Sequence, residues 1–387
     1  MPPSADLTRS PARHEVEPLE LFFDLVYVFA IGQLSHQLLE HPTWSGAAQT
    51  LVLYLAVFSA WMYTAWAGSM LVTDHPRTRR MLLLVMLGGL FMNAAIPRAF
   101  DDAGWVFVVT YLAIQLGRGG WLLTVGIGPV NQDHMTRSLI WTVATTPLWL
   151  AGAAVAGHAR LGWWAAAALI DVVGVWLAHP LPRRTLHSRR VTFAGRHLLE
   201  RCRLFTLIAL GEAVLTTGIA LADAPIALMT LISGTVALAG TVALFWIYFR
   251  RSERIVQRHL DRTDDPIRAG RSAVYGLMIG VAGLVVTAVG DARVIADPHQ
   301  TAGLTTNLLL FGGPALYIAP MTWYFATVIG SVRISRLLTL GALATGCVAT
   351  LAVPAYWAAI SAAAIVVGLA LYDSLSVDAG EPAGSVP

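Results

Sequence analysis

At 387 residues, 56% hydrophobic and 13% charged, with a mean hydropathy of +0.63, the chain carries about half the charged fraction of a soluble globular protein, for which roughly 25% is usual. Apolar runs of about 20 residues recur from end to end, each long enough to cross a hydrocarbon core of roughly 30 Å. No soluble domain fits between them, and their continuity, rather than alternation, excludes a β-barrel.

The runs predict an all-α polytopic membrane protein of about twelve spans, near 18–39, 47–72, 80–98, 104–126, 137–157, 161–180, 199–221, 225–249, 271–291, 304–328, 335–352 and 353–373. The N-terminus lacks the basic region, apolar run and small-residue cleavage site of a signal peptide, so the first span is expected to stay in the protein. That span opens with "VEPLELFFDLVYVFAI" (16–31), in which Glu17, Glu20 and Asp24 are three and four residues apart and share one helix face. Pro18 suits a first turn, where no backbone donor is needed, and acids there complement the helix dipole. That structural use covers Glu17 and Glu20. Asp24 lies more than a turn inside and calls for another explanation.

Further along, Asn93 in "FMNAAIP" (91–97) and Gln115 can line a pathway or join helices by hydrogen bonds. Arg118, in "YLAIQLGRGGWLL" (111–123), is the basic residue well inside a span. It needs a buried acid, with Asp24, Glu212 and Asp171 as candidates, unless its stem lets the charge reach an interface. Gly117, Gly119 and Gly120 around it mark a place where the helix can break, as at transporter sites. Asp171, in "LIDVVG" (169–174), is expected at mid-span. Glu212 lies about twelve residues into "ERCRLFTLIALGEAVLTTGIAL" (200–221), near the bilayer centre. An isolated carboxylate there costs several kcal/mol, so it should face the bundle interior, pair, or bind a proton. The bland use is a neutral glutamic acid joining two helices. Thr216 is one turn on, on the same face, and Gly211 permits close approach.

All 26 basic residues are arginine. With the N-terminus in the cytoplasm, 22 of the 26 fall on the inner side: Arg9, Arg13, Arg77, Arg79, Arg80, Arg137, the runs Arg183 to Arg203 and Arg250 to Arg271, and Arg333 with Arg336. The outer side receives Arg98, Arg160 and Arg293. The positive-inside rule therefore places both termini in the cytoplasm, which an even number of spans satisfies. This use of arginine accounts for the pI of about 9.0 without a nucleic-acid partner.

The two halves look alike. "DLVYVFAI" (24–31) aligns with "EAVLTTGI" (212–219), each an acid followed by isoleucine seven residues later. "AWMYTAW" (60–66) and "FWIYFRR" (245–251) share Trp-x-Tyr, 37 and 34 residues after the acid. "WAAAALIDVVG" (164–174) and "WAAISAAAIVVG" (357–368) begin 140 and 145 residues after it. The expectation is two parallel six-helix repeats, 1–180 and 199–387, the second ending in a short tail. A basic cytoplasmic linker over 181–198, containing "PRRTLHSRR" (182–190), would join them.

No H-E-x-x-H pair, G-x-S-x-G elbow or phosphate loop occurs, and Cys202 and Cys347 form no framework, so neither a structural metal nor a cofactor is expected. The opening stretch instead resembles the signature of the bacterial low temperature requirement A (LtrA) family. The likeness continues through "WMYTAW" (61–66), Asp74 with Arg80, "ERCRLFTLIALGEAVL" (200–215) and "FWIYF" (245–249). The family's motif residues fall on Glu20, Phe22, Phe23, Asp24, Arg201, Gly211 and Glu212. Where family members often carry a histidine at the start of the ninth helix, this chain has Tyr275. The resemblance implies a multi-pass protein of the bacterial cytoplasmic (inner) membrane and brings no reaction with it. The expected function is movement of a proton, cation or small solute past Asp24, Glu212, Arg118, Glu20, Asp171, Asn93 and Thr216, with membrane lipids as surroundings and a homo-oligomer left open. The alternative is a membrane-embedded enzyme acting on a lipid or isoprenoid, with an acid and an arginine as general acid and anion clamp.

Overall fold

A computed structural model describes residues 16–181, 195–249, 266–330 and 333–378. Of the basic linker expected over 181–198, residues 182–194 lie outside the described residues and 195–198 are helical; Arg9, Arg13 and residues 250–265 of the run from Arg250 to Arg271 also lie outside them. Within the described residues the chain is helical, without a sheet. Its helices are α1 (Pro18–Glu40), α2 (Trp44–Met70), α3 (Pro76–Ala94), α4 (Gly104–Leu123), α5 (Pro129–Ala154), α6 (Gly157–Trp176), α7 (Gly195–Asp223), α8 (Leu228–Phe249), α9 (Pro266–Ala296), α10 (Gly303–Tyr324), α11 (Ile334–Ala349) and α12 (Ala355–Asp378).

Among the described residues, nine helices are long and apolar enough to cross a membrane. The remaining three are α3, whose start carries Arg77, Arg79 and Arg80; α5, whose first two turns are polar; and the 16-residue α11. Apolar side chains also cover the outside. On α3, Leu83, Leu84, Leu87, Leu90 and Phe91 are all about half exposed or more. Their helical spacing makes one greasy stripe, larger than a soluble monomer leaves facing water. The protein is therefore an integral membrane protein of many apolar helices.

Local chemistry sets the helix starts. Glu17 caps α1 in a reciprocal capping box with Glu20, whose carboxylate accepts from the Glu17 N–H at 3.1 Å, and Pro18 occupies the first turn. Thr43 caps α2 by accepting from the Gly46 N–H at 3.1 Å. Gly128, at φ 85°, turns the chain into Pro129 at the head of α5.

The chain divides into two compact units, residues 1–208 with 263–274, and residues 209–262 with 275–387. In the first, α1 packs on α2 and α3, and the chain continues through α3–α4, α4–α5 and α5–α6 contacts. Helix α2 also meets α4 and α6 and is the most enclosed of the nine. In the second, α12 packs on α8, α10 and α11, and α10 on α11. Helices α9 and α10 approach closely through glycine. A Cβ on Gly283 would lie 2.7 Å from both the Gly313 carbonyl and the Tyr317 nitrogen.

Candidate functional site

The acidic face of α1 meets a basic face of α7. Glu20 and Asp24 are one turn apart, as are His197 and Arg201, so two short ladders of opposite sign lie in register. His197 Nε2 is 2.9 Å from Glu20 Oε2, and Arg201 donates to Asp24 Oδ1. All four residues have 0% exposure. Trp61 of α2 donates its indole N–H to the same Asp24 oxygen at 2.7 Å. The Arg201 guanidinium also stands 5.1 Å from the Phe23 ring centroid and 5.8 Å from that of Trp61, so aromatic faces share in stabilising the cation. Phe205, one turn beyond Arg201, closes the far side against Trp61 at 4.4 Å. Gly68 of α2 leaves the space: a Cβ there would lie 3.0 Å from Glu20 Oε1 and 3.3 Å from Arg201 Nη1. Asp24 Oδ2 and the Nε and Nη1 of Arg201 have no hydrogen-bond partner among the described residues. The pair therefore keeps polar capacity in reserve.

A second charged assembly borders α2 in the same unit. Arg118 donates to Gln115 Oε1 and, at 3.1 Å, to Thr64 Oγ1, and its guanidinium stands 5.2 Å from the Tyr63 ring centroid. Gln115 donates to the Tyr111 hydroxyl at 3.2 Å, and Tyr111 donates to Asp171 Oδ2 at 3.0 Å. Thr145 and Trp149 complete the Asp171 nest at 2.8 and 3.1 Å. Guanidinium and carboxylate are thus linked through two neutral side chains. Residues 60–64 of α2 serve both assemblies, since Trp61 reaches Asp24 while the Ala60 carbonyl and Thr64 receive Arg118.

The structure redistributes the sequence-predicted residues. Asp24 is joined to Arg201, which the topology argument had counted among the cytoplasmic arginines. Arg118 has neutral hydrogen-bond partners in place of the direct carboxylate contact expected of it; of its three candidate acids, Asp171 is the one it reaches by relay. Helix α4 runs unbroken through Gly117, Gly119 and Gly120, correcting the expected break. Asn93 donates to the Val26 carbonyl at 2.6 Å and so fastens α3 to α1. Glu212 and Thr216 belong to the second unit, are half-buried, and have no hydrogen bond among the described residues.

The loop arginines were also underestimated. Arg160 is buried and donates to the carbonyls of Val155, Ala99 and Asp101 at 2.9, 2.9 and 2.8 Å. Sequence reasoning missed His179 entirely. It lies just beyond α6 with Ala178, both at positive φ, and its ring nitrogen is 2.6 Å from the Tyr63 hydroxyl. Two consecutive non-glycine residues in left-handed backbone store strain, but nothing in the bare sequence announces it.

Residues 15–371, nearly the whole chain, match the family described as bacterial low temperature requirement A protein (LtrA). The chain belongs to the LtrA family. An uncharacterized protein of Rhizobium meliloti (strain 1021) is similar to this LtrA-family chain at 32% identity over 317 residues, covering 79% of this chain and 75% of the relative. No solved structure matches. Within the LtrA signature, Glu20, Phe23, Asp24 and Arg201 converge on a single buried contact.

Proposed function

We propose that this LtrA-family protein moves a proton, a small cation or a small solute across the bacterial cytoplasmic membrane. The single observation that carries the reading is the Glu20–Asp24/His197–Arg201 assembly, four ionisable side chains sealed from solvent between apolar helices. Charges within membrane segments are costly and mark ion pathways and relays. A merely structural contact is served more cheaply by apolar packing, because replacing a buried ion pair with well-packed apolar groups is often neutral or stabilising. Arrival of a proton or cation at Asp24 would release Arg201, whose unused donors are already in place, and that exchange is the switch. The Arg118–Asp171 relay holds a second, neutralised charge pair beside it, and Glu212 with Thr216 is a further candidate pathway position, within the second unit. In this reading all twelve helices cross the membrane as two parallel repeats, with both termini cytoplasmic and lipid around the outer faces.

The test is flux in proteoliposomes with Asp24→Asn, Arg201→Gln and the double variant. The double variant carries neither charge, so it should fold as a neutral pair and yet fail to transport. Wild-type flux from a folded Asp24→Asn/Arg201→Gln protein would make the pair structural and end the proposal.

A further inference from the structure

The second unit contains a cavity bordered by α8, α9, α10 and α12. Its lining is apolar or glycine except for two side chains of α9, Thr287 and Asp291, which are one turn apart and share a face. Every polar group there accepts. Thr287 donates its hydroxyl proton to the Gly283 carbonyl at 2.8 Å, so only its lone pairs remain for the cavity. Leu310 and Pro314 of α10 also line it, and Pro314 has no N–H to give the Leu310 carbonyl, the partner that carbonyl would have in a regular helix. Asp291 is half-buried and has no hydrogen bond or ion pair among the described residues. A carboxylate, a hydroxyl oxygen and a carbonyl freed by proline, with no donor and no cation opposite them among the described lining residues, are the ingredients of a cation site.

Size and charge narrow the occupant. The cavity measures about 20 Å³, where one water needs about 10–15 Å³. An organic cation does not fit. One carboxylate balances one positive charge, whereas calcium and magnesium take six or more oxygens and usually several carboxylates or retained waters. We infer that this cavity binds one small monovalent cation, an alkali-metal ion or a proton, on the Asp291 carboxylate and the Thr287 hydroxyl oxygen, with the Leu310 carbonyl as third ligand. The inference adds a site to the transport reading and does not depend on it, because binding is measured without flux.

The experiment uses the full-length protein in detergent micelles at fixed pH and ionic strength. Choline chloride, too large for the cavity, is exchanged for lithium, sodium or potassium chloride while the unfolding midpoint is followed, and carboxyl C=O absorption is titrated in the infrared. If an alkali ion is the occupant, at least one of the three salts raises the wild-type midpoint by mass action. Asp291→Asn then loses the rise, and Thr287→Val needs several-fold more salt for the same shift. If the occupant is a proton, the midpoint ignores the alkali ion, but a protonated-carboxyl band titrates in wild type and is missing from Asp291→Asn. Identical salt responses and identical infrared bands in wild type and Asp291→Asn would overturn the proposal. Should Asp291→Asn fail to fold, Thr287→Val decides alone: an unchanged salt response together with an unshifted carboxyl band overturns it.

Discussion

The first unit surrounds its buried acids with partners; the second does so for Asp373, which Arg333 meets at 3.3 Å, yet among the described residues it leaves Glu212 and Asp291 bare. Glu20, Asp24 and Asp171 receive an imidazole, a guanidinium, two indole N–H groups, a phenol and a hydroxyl. Glu212 and Asp291 have none of these among the described residues. The sequence-similar Trp-x-Tyr positions diverge in the same sense: Trp61 is 0% exposed against Asp24, while Trp246 is 45% exposed. Partners that satisfy a carboxylate also fix it, so it contributes to folding and exchanges ligands only when the partner moves. A bare carboxyl contributes little to folding and is free to take a ligand from outside. In the proposed reading this difference separates switch from binding site, and substitutions can test it.

The largest effect should follow removal of one side of the sealed ion pair. Arg201→Gln strands the Asp24 carboxylate among apolar helices, and stranding one partner of a buried pair costs about 3–5 kcal/mol. The unfolding midpoint in micelles should fall accordingly, and Asp24→Asn/Arg201→Gln should recover much of the loss. A double variant as unstable as Arg201→Gln alone would mean that the guanidinium serves partners other than Asp24. Asp171→Asn comes next, because it turns one acceptor into a donor facing the donors Tyr111, Thr145 and Trp149. The unsatisfied contacts should cost about 1–3 kcal/mol, read from the same melts, with Asp171→Leu the harsher change.

Much of this architecture was legible in hydropathy, and its misplacements have a common cause. Hydropathy marks where a segment is greasy, while hydrogen bonding carries the helix beyond that. Span five was expected at 137–157, but α5 starts at Pro129, because "NQDHMTRS" (131–138) is helical while too polar for lipid. Asp291 escaped notice for the same reason: an acid closing the run 271–291 reads as a boundary, yet α9 continues to Ala296. The acids of the first unit could be found because an acid is conspicuous in an apolar run. Their partners were hidden, since Arg201 stands in an arginine-rich region where positive-inside topology already explained it. The available signal was the spacing, His197 to Arg201 repeating Glu20 to Asp24. The Arg118–Gln115–Tyr111–Asp171 relay depends on three-dimensional convergence of α4 and α6, which no spacing within one helix encodes.

Gly68→Ala sharpens the comparison from the packing side. A Cβ would press on Glu20 Oε1 at 3.0 Å and Arg201 Nη1 at 3.3 Å, so the paired side chains must yield by a few tenths of an ångström. The expected cost is about 1 kcal/mol, at the mild end of overpacking. Because the added methyl touches Arg201 and Glu20 but no ligand of Asp171, the loss should be smaller in an Asp24→Asn/Arg201→Gln background, where the contact with Glu20 remains and the one with the guanidinium is removed. An equal loss in both backgrounds would assign the strain to Glu20 or the α2 backbone.

The smallest effect on folding should come from Glu212→Gln, and that smallness is the point. Glu212 stands at the edge of the buried stripe of α7, beside buried Ala213, while Leu215 and Ile219 on the same helix are 60% and 62% exposed. With no hydrogen bond to lose among the described residues, neutralising it should change stability by no more than about 0.5 kcal/mol, while flux in proteoliposomes falls. A midpoint drop as deep as that of Arg201→Gln would reveal a strong partner for this carboxyl, and the contrast between a fixed acid in one unit and an available acid in the other would fail at its second-unit end. Unchanged stability with unchanged flux would leave Glu212 outside the pathway and shift the burden of the second unit to Asp291.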